Sequence, residues 1–321
     1  MLYQTLKIVV RIAMFIFCRR IIVNNRSLLK MEGPLLLACN HPNSFLDAIL
    51  LDILFDKPIW SLARGDAFKN KWIARILRSL KIFPVYRVSE GVENLNSNYQ
   101  TFEDCKKVFR NKGIVLIFSE GKCVNEWKLR ALKKGTARLA ISSWEEGIPL
   151  KVLPVGINYS SFKLFGKNVF INFGELIEYE DIPAEAADGI RHQAFNTNLQ
   201  TQLQSLVYEI EKTDKTKKEK LLEKKLPGYM SALLSIPAML GWLSHLPLYV
   251  PVQRITYKQT ADNDHYDSAM AAVLLLIYPV YLVAIVTLVF FFTGSYYSFL
   301  LLLLMPFTAW CYVQVKKQLD D

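Results

Sequence analysis

The stretch PLLLACNHPNSFLD, residues 34–47, joins an apolar run to a histidine and an aspartate that are six positions apart. The apolar run is typical of a buried β-strand, and Pro42 disfavours helical geometry at His41, so the strand is expected to end just before the histidine. Ser44 followed by Asp47 has the spacing of a capping box, which predicts the start of a helix. The sequence therefore places a base and a carboxylate where a strand gives way to a helix.

His41 and Asp47 admit two interpretations at this point. A histidine that is hydrogen-bonded to a carboxylate can take a proton from a hydroxyl near neutral pH, which is the task of a general base. Alternatively, Asp47 caps the helix and His41 is an ordinary loop histidine. The two roles are compatible, because a capping carboxylate keeps a second oxygen for an imidazole.

The C-terminal part of the chain is strongly apolar. From Ser268 to Gln314 no Asp, Glu, Lys, Arg or His occurs, and a Thr-Gly-Ser sequence divides the stretch into two halves. Each half exceeds the roughly 20 residues that span a bilayer, so we predict a two-pass transmembrane hairpin with a short tail over residues 268–321. The alternative is a buried helical hairpin of a soluble core. Basic residues on both flanks predict an integral membrane protein whose active site faces the cytoplasm: Arg254, Lys258, Lys316 and Lys317.

Residues 1–30 are predicted to contain an amphipathic helix at the membrane interface. Gln4, Lys7, Arg11 and Cys18 recur on one stripe with apolar residues around them, so the basic stripe is expected to face lipid phosphates. The alternative is a core helix of the soluble domain. The net charge of +10 adds to this argument and predicts anionic membrane lipid as a partner. Nucleic acid is not expected, because the sequence holds no recognisable nucleic-acid-binding signature.

Residues 31–226 are predicted to form an α/β domain with a mixed, largely buried sheet flanked by helices. Strands are expected at residues 35–39, 58–63, 82–85, 114–118, 152–157 and 169–173, and helices at residues 45–55, 70–79, 100–110, 133–146, 193–212 and 212–225. Residues 227–267 contain an apolar stretch, residues 229–252, that three prolines and a glycine interrupt, which predicts an interfacial or re-entrant segment. Five scattered cysteines indicate a reduced compartment and no metal site.

Polar residues follow four of the predicted strands. Catalytic groups in open α/β sheets collect at the carboxyl ends of the strands. Those positions hold His41 and Asp47, then Arg64 and Gly65, then Tyr86 and Arg87, and finally Ser119, Glu120, Gly121 and Lys122. A base, acids and cations together suit a hydroxyl acceptor that carries a phosphate, because a guanidinium donates two hydrogen bonds at once. Singly, each residue has an ordinary surface or turn role, and only their convergence indicates a site.

Four blocks in this order resemble those of the glycerophospholipid acyltransferases, the family of glycerol-3-phosphate and 1-acylglycerol-3-phosphate (lysophosphatidate) acyltransferases. Asn40-His41 with Asp47 resembles the histidine–aspartate block. Residues 64–68 and 82–87 resemble the second block, residues 118–121 and 132–137 the third block with its basic turn, and residues 153–156 the fourth. Together the blocks cover residues 35–156.

The sequence departs from the family's pattern at three points. Five residues separate His41 from Asp47 where most members have four, a variant that we associate with a subset including some glycerol-3-phosphate acyltransferases. Ser119 replaces the usual proline. The arginine of the third block has no direct match, and Lys122 or Arg130 is expected to substitute for it. These departures bear on the identity of the acceptor and leave the reaction type unchanged.

The resemblance implies a membrane-bound acyltransferase of phospholipid biosynthesis. A fatty acyl group would move from a thioester, either acyl-CoA or acyl carrier protein, to a hydroxyl of glycerol-3-phosphate or lysophosphatidate. The resemblance implies His41 as general base, Asp47 as the acid that orients it, and Arg64 and Arg87 as phosphate ligands. Asn40, Gly65, Glu120, Gly121 and Lys122 complete the expected substrate-binding set, and neither a cofactor nor a metal is expected.

Two alternatives stay open. Within the same enzyme class, the acceptor is another lysophospholipid, or a lipid bearing a hydroxyl or an amine. In a different class, the protein is a non-catalytic lipid-binding membrane protein, which the sequence disfavours because the key residues of all the blocks are retained. The lack of a G-x-S-x-G sequence argues against an acyl-serine intermediate. Cys39 is interpreted as a strand residue, and His192, His245 and His265 as surface or interface residues.

Overall fold

The computed structural model describes residues 2–86, 96–183 and 186–320. Seven strands in these residues form one sheet: β1 (Cys18–Val23), β2 (Leu35–Cys39), β3 (Ile59–Arg64), β4 (Ile82–Val85), β5 (Ile114–Phe118), β6 (Lys151–Tyr159) and β7 (Lys167–Phe173). The helices of the α/β part are α1 (Leu2–Phe17), α2 (Phe45–Leu54), α3 (Lys71–Ser79), α4 (Asn96–Arg110), α5 (Gly135–Glu145), α6 (Asp188–Leu206) and α7 (Lys215–Leu222). Three longer helices follow: α8 (Gly228–Thr260), α9 (Tyr266–Thr293) and α10 (Leu301–Val315).

The sheet is mixed, as the sequence predicts. Its strand order is β1-β7-β6-β2-β5-β3-β4. The five strands from β6 to β4 are parallel to their neighbours, whereas β7 runs antiparallel to β6 and carries β1 parallel to itself. Cys39 at the end of β2 lies opposite Phe118 of β5 and Val155 of β6. The carboxyl ends of β2, β3, β4 and β5 therefore meet at one margin, here called the carboxyl edge.

Alternate residues of the central strand β2 face two separate cores. Leu35 and Leu37 pack with α2 residues such as Leu46, whereas Leu36 packs with Phe109 of α4. The four leucines are completely buried, and Phe109 is 1% exposed. Burying a side chain of this size stabilises the fold by about 1.5–3 kcal/mol. A continuous apolar strand is thus explained by helices on both faces of the sheet.

The basic stripe of α1 faces the protein, so the expectation that it faces lipid phosphates is wrong. Lys7 Nζ donates to the carbonyl of Phe55 at 2.9 Å, and Arg11 Nε donates to the carbonyl of Ile53 at 2.9 Å. These carbonyls lie at the C-terminal end of α2, where a helix leaves carbonyl groups unpaired and attracts cations. Apolar side chains of α1 are the ones left exposed: Leu2, Ile8, Val9, Ile12 and Phe15. Cys18, the fourth residue of the stripe, belongs to β1.

The strand β1 was not predicted from the sequence. Its residues continue the apolar N-terminal pattern, and its partner β7 begins at Lys167, far along the chain. Pairing between residues so far apart in the sequence produces no short-range pattern from which the strand could be predicted. The strand places the N-terminal helix beside the end of the sheet.

The three-proline segment forms one continuous helix, α8, of 33 residues. The expectation that prolines break this segment is wrong, although its interfacial or re-entrant course stays a prediction. Among the described residues, three helices are long and apolar enough to cross a membrane: Gly228–Thr260, Tyr266–Thr293 and Tyr296–Val315. The second and third correspond to the two predicted passes. Gly241 allows α8 and α10 to touch, because a Cβ atom there would lie 2.1 Å from the carbonyl oxygen of Thr308.

Candidate active site

His41 lies directly beyond β2, at the carboxyl edge, and its ring is held on two sides. Its Nδ1 is 2.8 Å from Asp47 Oδ2, and its ring stacks on Phe118 with ring centroids 3.8 Å apart and 9° between the planes. When Asp47 is ionised, Nδ1 carries the proton and Nε2 keeps its lone pair. No hydrogen bond joins Nε2 to another described residue, and the side chain is 16% exposed. The imidazole therefore presents a basic nitrogen to an incoming hydroxyl group.

Asp47 is completely buried and accepts hydrogen bonds from three groups. Besides the contact with His41, Oδ2 accepts from the backbone N–H of Asn43 at 2.8 Å, and Oδ1 accepts from the Tyr159 hydroxyl at 2.7 Å. A buried carboxylate needs such partners, because an unpaired charge in a dry interior is strongly unfavourable. Both oxygens of Asp47 are thus hydrogen-bonded, and Oδ2 fixes the orientation of the His41 ring.

The predicted capping box does not form. Asp47 lies in the first turn of α2, but the Ser44 side chain makes no capping hydrogen bond. The backbone of Ser44 instead has a φ of 53°, a left-handed conformation, and its hydroxyl lies 2.8 Å from Nδ1 of His265. The loop between His41 and α2 is therefore fixed by contacts from distant parts of the chain and not by its own cap.

Glu120 fixes the backbone of His41 through a hydrogen bond. Its Oε2 accepts from the backbone N–H of His41 at 2.7 Å, and its Oε1 accepts from the backbone N–H of Arg130 at 2.8 Å. Burial raises the pKa of Glu120, although these two hydrogen bonds oppose the shift. Because both oxygens are bonded to backbone, Glu120 fixes the position of His41, and its expected contact with substrate stays a prediction.

Asn40 also has a structural contact in place of the expected one. Its side-chain amide donates to the carbonyl of Ile157 at 3.0 Å and accepts from the N–H of Ile157 at 2.7 Å. Asn40 is 3% exposed. The side chain therefore extends the pairing of β2 with β6 and offers no group to a substrate.

Arg64, Gly65 and Lys122 of the expected substrate-binding set lie at the same edge. Arg64 ends β3, is exposed and pairs with Asp66. Gly65 packs under the ring of Tyr86, where a Cβ atom would lie 2.1 Å from the ring, so no larger residue fits. Lys122 is exposed beyond β5, after Gly121, whose φ of 67° favours glycine. Arg87 lies outside the described residues.

The segment between α8 and α9 reaches into the site, which the sequence did not predict. His265 contacts Ser44, and the backbone N–H of Leu46 donates to the Ser268 hydroxyl at 3.1 Å. Burial lowers the pKa of His265; Asp264 opposes this shift, and electrostatic interactions with Arg64 and His41 add to it. The imidazole of His265 therefore lies within electrostatic range of both the base and the expected phosphate ligand.

A buried ion pair joins α9 to the sheet and to the loop. Asp267, in the first turn of α9, pairs with Lys167 at the start of β7, and the side-chain amide of Asn43 donates to Asp267 at 2.7 Å. The side chains of Lys167 and Asp267 are 0% and 2% exposed. Asn43 thus links α9 to Asp47, because its side chain bonds Asp267 and its backbone N–H bonds Asp47.

Neither cysteine near the site is arranged as a nucleophile. Cys39 is completely buried in β2, and burial raises the pKa of its thiol well above the usual value. The sulfur of Cys123 accepts a hydrogen bond from the N–H of Ser44 at 2.9 Å, and burial raises the pKa of its thiol too. Within the described part of the chain, no group of three or more His, Cys, Asp or Glu side chains could hold a metal ion.

Comparison with known proteins identifies this region. A family model described as Acyltransferase matches residues 20–158, a range that contains His41, Asp47, Arg64 and Glu120. Residues 20–158 of this chain are thus similar to acyltransferases. The fold class and the family resemblance of the sequence are both confirmed.

Two related proteins illustrate the extent of the likeness. A 1-acyl-sn-glycerol-3-phosphate acyltransferase from Bacillus subtilis strain 168 is 28% identical over 119 residues, which cover 37% of this chain. The match spans 55% of that relative, or about half its length. The crystal structure of the 1-acyl-sn-glycerophosphate acyltransferase PlsC from Thermotoga maritima is 17% identical, with a TM-score of 0.44, over 63% of this chain and 78% of the other. The apolar helices α8 to α10 lie outside residues 20–158.

Proposed function

We propose that this protein is a membrane-bound acyltransferase that acylates the free hydroxyl of lysophosphatidate, using a fatty acyl thioester as donor. The observation that carries the proposal is the 2.8 Å contact between His41 Nδ1 and a buried Asp47 at the carboxyl edge, with Nε2 left available. The match of residues 20–158 to the Acyltransferase family model supports the reaction class, and the name of the Bacillus relative supports 1-acylglycerol-3-phosphate as acceptor.

The mechanism is direct attack of the acceptor on the donor. His41 Nε2 takes the proton of the acceptor hydroxyl while the oxygen forms a bond to the thioester carbonyl carbon. The carbon–sulfur bond then breaks, and the thiolate receives the proton from the imidazolium. Asp47 holds the imidazole in the required tautomer and stabilises its charged form during the transfer. Products are the diacylated phospholipid and the free thiol of the donor.

The cations at the carboxyl edge would bind the acceptor phosphate. Arg64 ends β3 and is exposed, Lys122 follows β5, and His265 lies near Arg64. Arginine suits this role because its planar guanidinium donates two hydrogen bonds to phosphate oxygens. Arg87, which the family resemblance assigns to the phosphate, completes the proposed set.

Three apolar helices support placement at a membrane, where the acceptor and the product reside. A cytoplasmic active site fits the basic flanks of α9 and α10. Acyl-CoA and acyl carrier protein are both proposed donors.

The function is tested with purified protein in detergent or nanodiscs. The protein is incubated with acyl-CoA or acyl carrier protein and with lysophosphatidate, glycerol-3-phosphate or a neutral lysophospholipid, while thiol release and lipid products are followed. We expect transfer to lysophosphatidate. Transfer to glycerol-3-phosphate instead would support the acceptor associated with the five-residue spacing between His41 and Asp47.

Variants separate catalysis from folding. His41→Ala is expected to lower the rate by about 10²- to 10⁴-fold, the usual contribution of a general base. Asp47→Asn is expected to lower kcat by a similar factor, because the amide favours the wrong tautomer. The matched control is His192→Ala, which changes a partly buried histidine of α6. This helix lies on the face of the sheet opposite α2. A folded protein that transfers to no acceptor, or a His41→Ala variant with the original rate, would contradict the proposal.

A further inference from the structure

Helix α3 leaves a large apolar surface uncovered next to the site. Trp72, Ile73 and Ile76 are 72%, 48% and 50% exposed. The helix packs inward through Ala74 and Leu77, which are partly buried. Clusters of exposed large side chains, one of them tryptophan, usually mark a binding surface.

The same segment is purely basic. Residues 69–81 contain five cations and no acid, the cations being Lys69, Lys71, Arg75, Arg78 and Lys81. Among the residues that the structure describes, none of these five forms an ion pair with a carboxylate. The segment therefore carries a positive charge that a partner of opposite sign can neutralise.

The two kinds of side chain are separated around the helix. With 3.6 residues per turn, Trp72, Ile73 and Ile76 share one side of α3, whereas Lys71, Arg75 and Arg78 share the other. Both sides are exposed. Arg75 reaches back over the Trp72 ring, with 5.3 Å between its guanidinium carbon and the ring centroid. An apolar side flanked by cations on a short helix is typical of helices that lie in a lipid interface.

Helix α3 also lies on the face of the sheet that carries the membrane helices. The chain moves in the same direction across the sheet from β2 to β3 and from β3 to β4, and right-handed crossovers place α2 and α3 on one face. Helix α1 packs on α2 on that face, and Lys81, just after α3, lies 5.6 Å above the Tyr3 ring of α1. The hydrogen bond from the backbone N–H of Leu46 in α2 to the Ser268 hydroxyl places the start of α9 on the same face.

We propose that α3 is a membrane-docking helix whose partner is a bilayer containing anionic phospholipid. Trp72, Ile73 and Ile76 enter the interface, and the cations contact lipid phosphates. Because Arg64 and Gly65 come directly before this segment, docking holds the phosphate-binding end of the site at the level of the lipid headgroups. The inference depends on the membrane placement in the proposed function and not on its chemistry.

The test measures the lipid contact directly. The five native cysteines are buried, so the full-length Ile76→Cys variant can be labelled selectively with the environment-sensitive fluorophore NBD. The protein is placed in nanodiscs of phosphatidylcholine and phosphatidylglycerol that include a lipid carrying a nitroxide high on its acyl chain. Thr201→Cys, at an exposed position of α6 on the opposite face, is the matched control.

We expect blue-shifted NBD emission at position 76 and nitroxide quenching several-fold stronger than at position 201. Replacing Lys71, Arg75 and Arg78 by glutamate should reduce the quenching at position 76 without changing the unfolding temperature, since all three side chains are exposed. Equal, weak quenching at both positions would overturn the inference. A blue shift without nitroxide quenching, growing with the number of proteins per nanodisc, would assign the surface to a second copy and would also overturn it. Neither outcome depends on whether the protein transfers an acyl group.

Discussion

At the scale of single residues, His41 is held by three groups that act on different parts of it. Asp47 bonds Nδ1, Phe118 lies against the ring, and Glu120 accepts from the backbone N–H. For the proposed general base, restraint of this kind would lower the cost of reaching the reactive geometry, because the side chain does not need to be ordered during the reaction. The position of Nε2 is therefore fixed before any substrate binds.

Glu120 provides a test of this restraint. Glu120→Ala leaves the N–H groups of His41 and Arg130 without their acceptor, and each unpaired buried group costs about 1–3 kcal/mol. Glu120→Gln keeps one acceptor oxygen, so its loss of stability and of kcat should be smaller. Thermal unfolding in detergent and kcat measurements check both effects. Glu126→Ala on the same loop is the control, and an unchanged Glu120→Ala variant would contradict the supporting role.

Cys39 is expected to be dispensable for turnover. It is completely buried in β2 and its thiol stays protonated because burial raises its pKa, so it cannot attack a thioester. Cys39→Ala removes one sulfur atom from the core and should retain most of the activity, with a modest loss of stability. Abolished turnover in a folded Cys39→Ala variant, measured by thiol release, would indicate a covalent route instead.

The site was predictable from sequence only where its contacts are local. His41 and Asp47 are six positions apart, and strand–turn–helix geometry brings them together. Tyr159 and His265 reach the same loop from 112 and 221 positions away, and no short-range pattern reveals such contacts. The backbone contacts of Asn40 and Glu120 were not predicted, because a motif identifies the residue but not the atoms to which it bonds.

At the scale of elements, the first turn of α9 and the loop before α2 form one unit. The Ser268 hydroxyl accepts from the N–H of Leu46 and donates to the carbonyl of Asn43 at 2.9 Å, while Asp267 accepts from the Asn43 side chain. The backbone N–H of Asn43 in turn donates to Asp47. Displacement of α9 should therefore disturb the acid that orients His41.

Asp267 tests this coupling. Asp267→Asn leaves Lys167 buried without a counter-charge, and breaking a buried pair in this way costs about 3–5 kcal/mol. Replacing both partners, as in Lys167→Met with Asp267→Leu, should recover much of that stability. Unfolding temperature and kcat are measured for each variant in detergent.

The matched control is Asp262→Asn, which changes an exposed carboxylate in the same link between α8 and α9. It should leave both quantities unchanged. An Asp267→Asn variant as stable as Asp262→Asn would show that the pair does not hold α9 to the sheet.

Elements were predicted well where their residues signal locally. The strands at residues 35–39, 82–85 and 114–118 match β2, β4 and β5 to the residue. The continuity of α8 was missed because the rule that proline breaks helices weakens when packing against α10 compensates for the lost hydrogen bonds. The prediction that the basic stripe of α1 faces outward was wrong, because Lys7 and Arg11 bond carbonyl groups at the C-terminal end of α2, which is distant in sequence.

At the scale of the whole molecule, the two faces of the sheet differ in what they expose. The face with α1, α3 and α9 presents apolar side chains such as Ile12, Trp72 and Leu276. The opposite face is covered by α4, α5 and α6, and α4 exposes ion pairs such as that between Lys107 and Asp104. This asymmetry is what a domain that rests on a membrane requires.

The cysteines allow a check of the whole fold. Burial raises the pKa of Cys18 to about 12 and raises the thiol pKa values of Cys39, Cys105 and Cys123 as well. Thiols with raised pKa stay protonated below that pKa, and alkylation requires the thiolate, so native protein should react slowly with iodoacetamide at pH 8. Mass spectrometry should find all five cysteines modified only after denaturation. Rapid modification of one native cysteine would show that its surroundings are open.

Residues 316–320 complete the margin of the sheet formed by β1, β6 and β7. The carbonyl of Lys316 accepts from Arg19, Gln318 accepts from Asn168 at 2.6 Å, and Asp320 accepts from the Ser161 hydroxyl at 2.6 Å. The ribosome makes these residues after α8, α9 and α10. During biosynthesis, that margin of the α/β domain can therefore be completed only after α8, α9 and α10 have been synthesised and the chain has returned to the sheet.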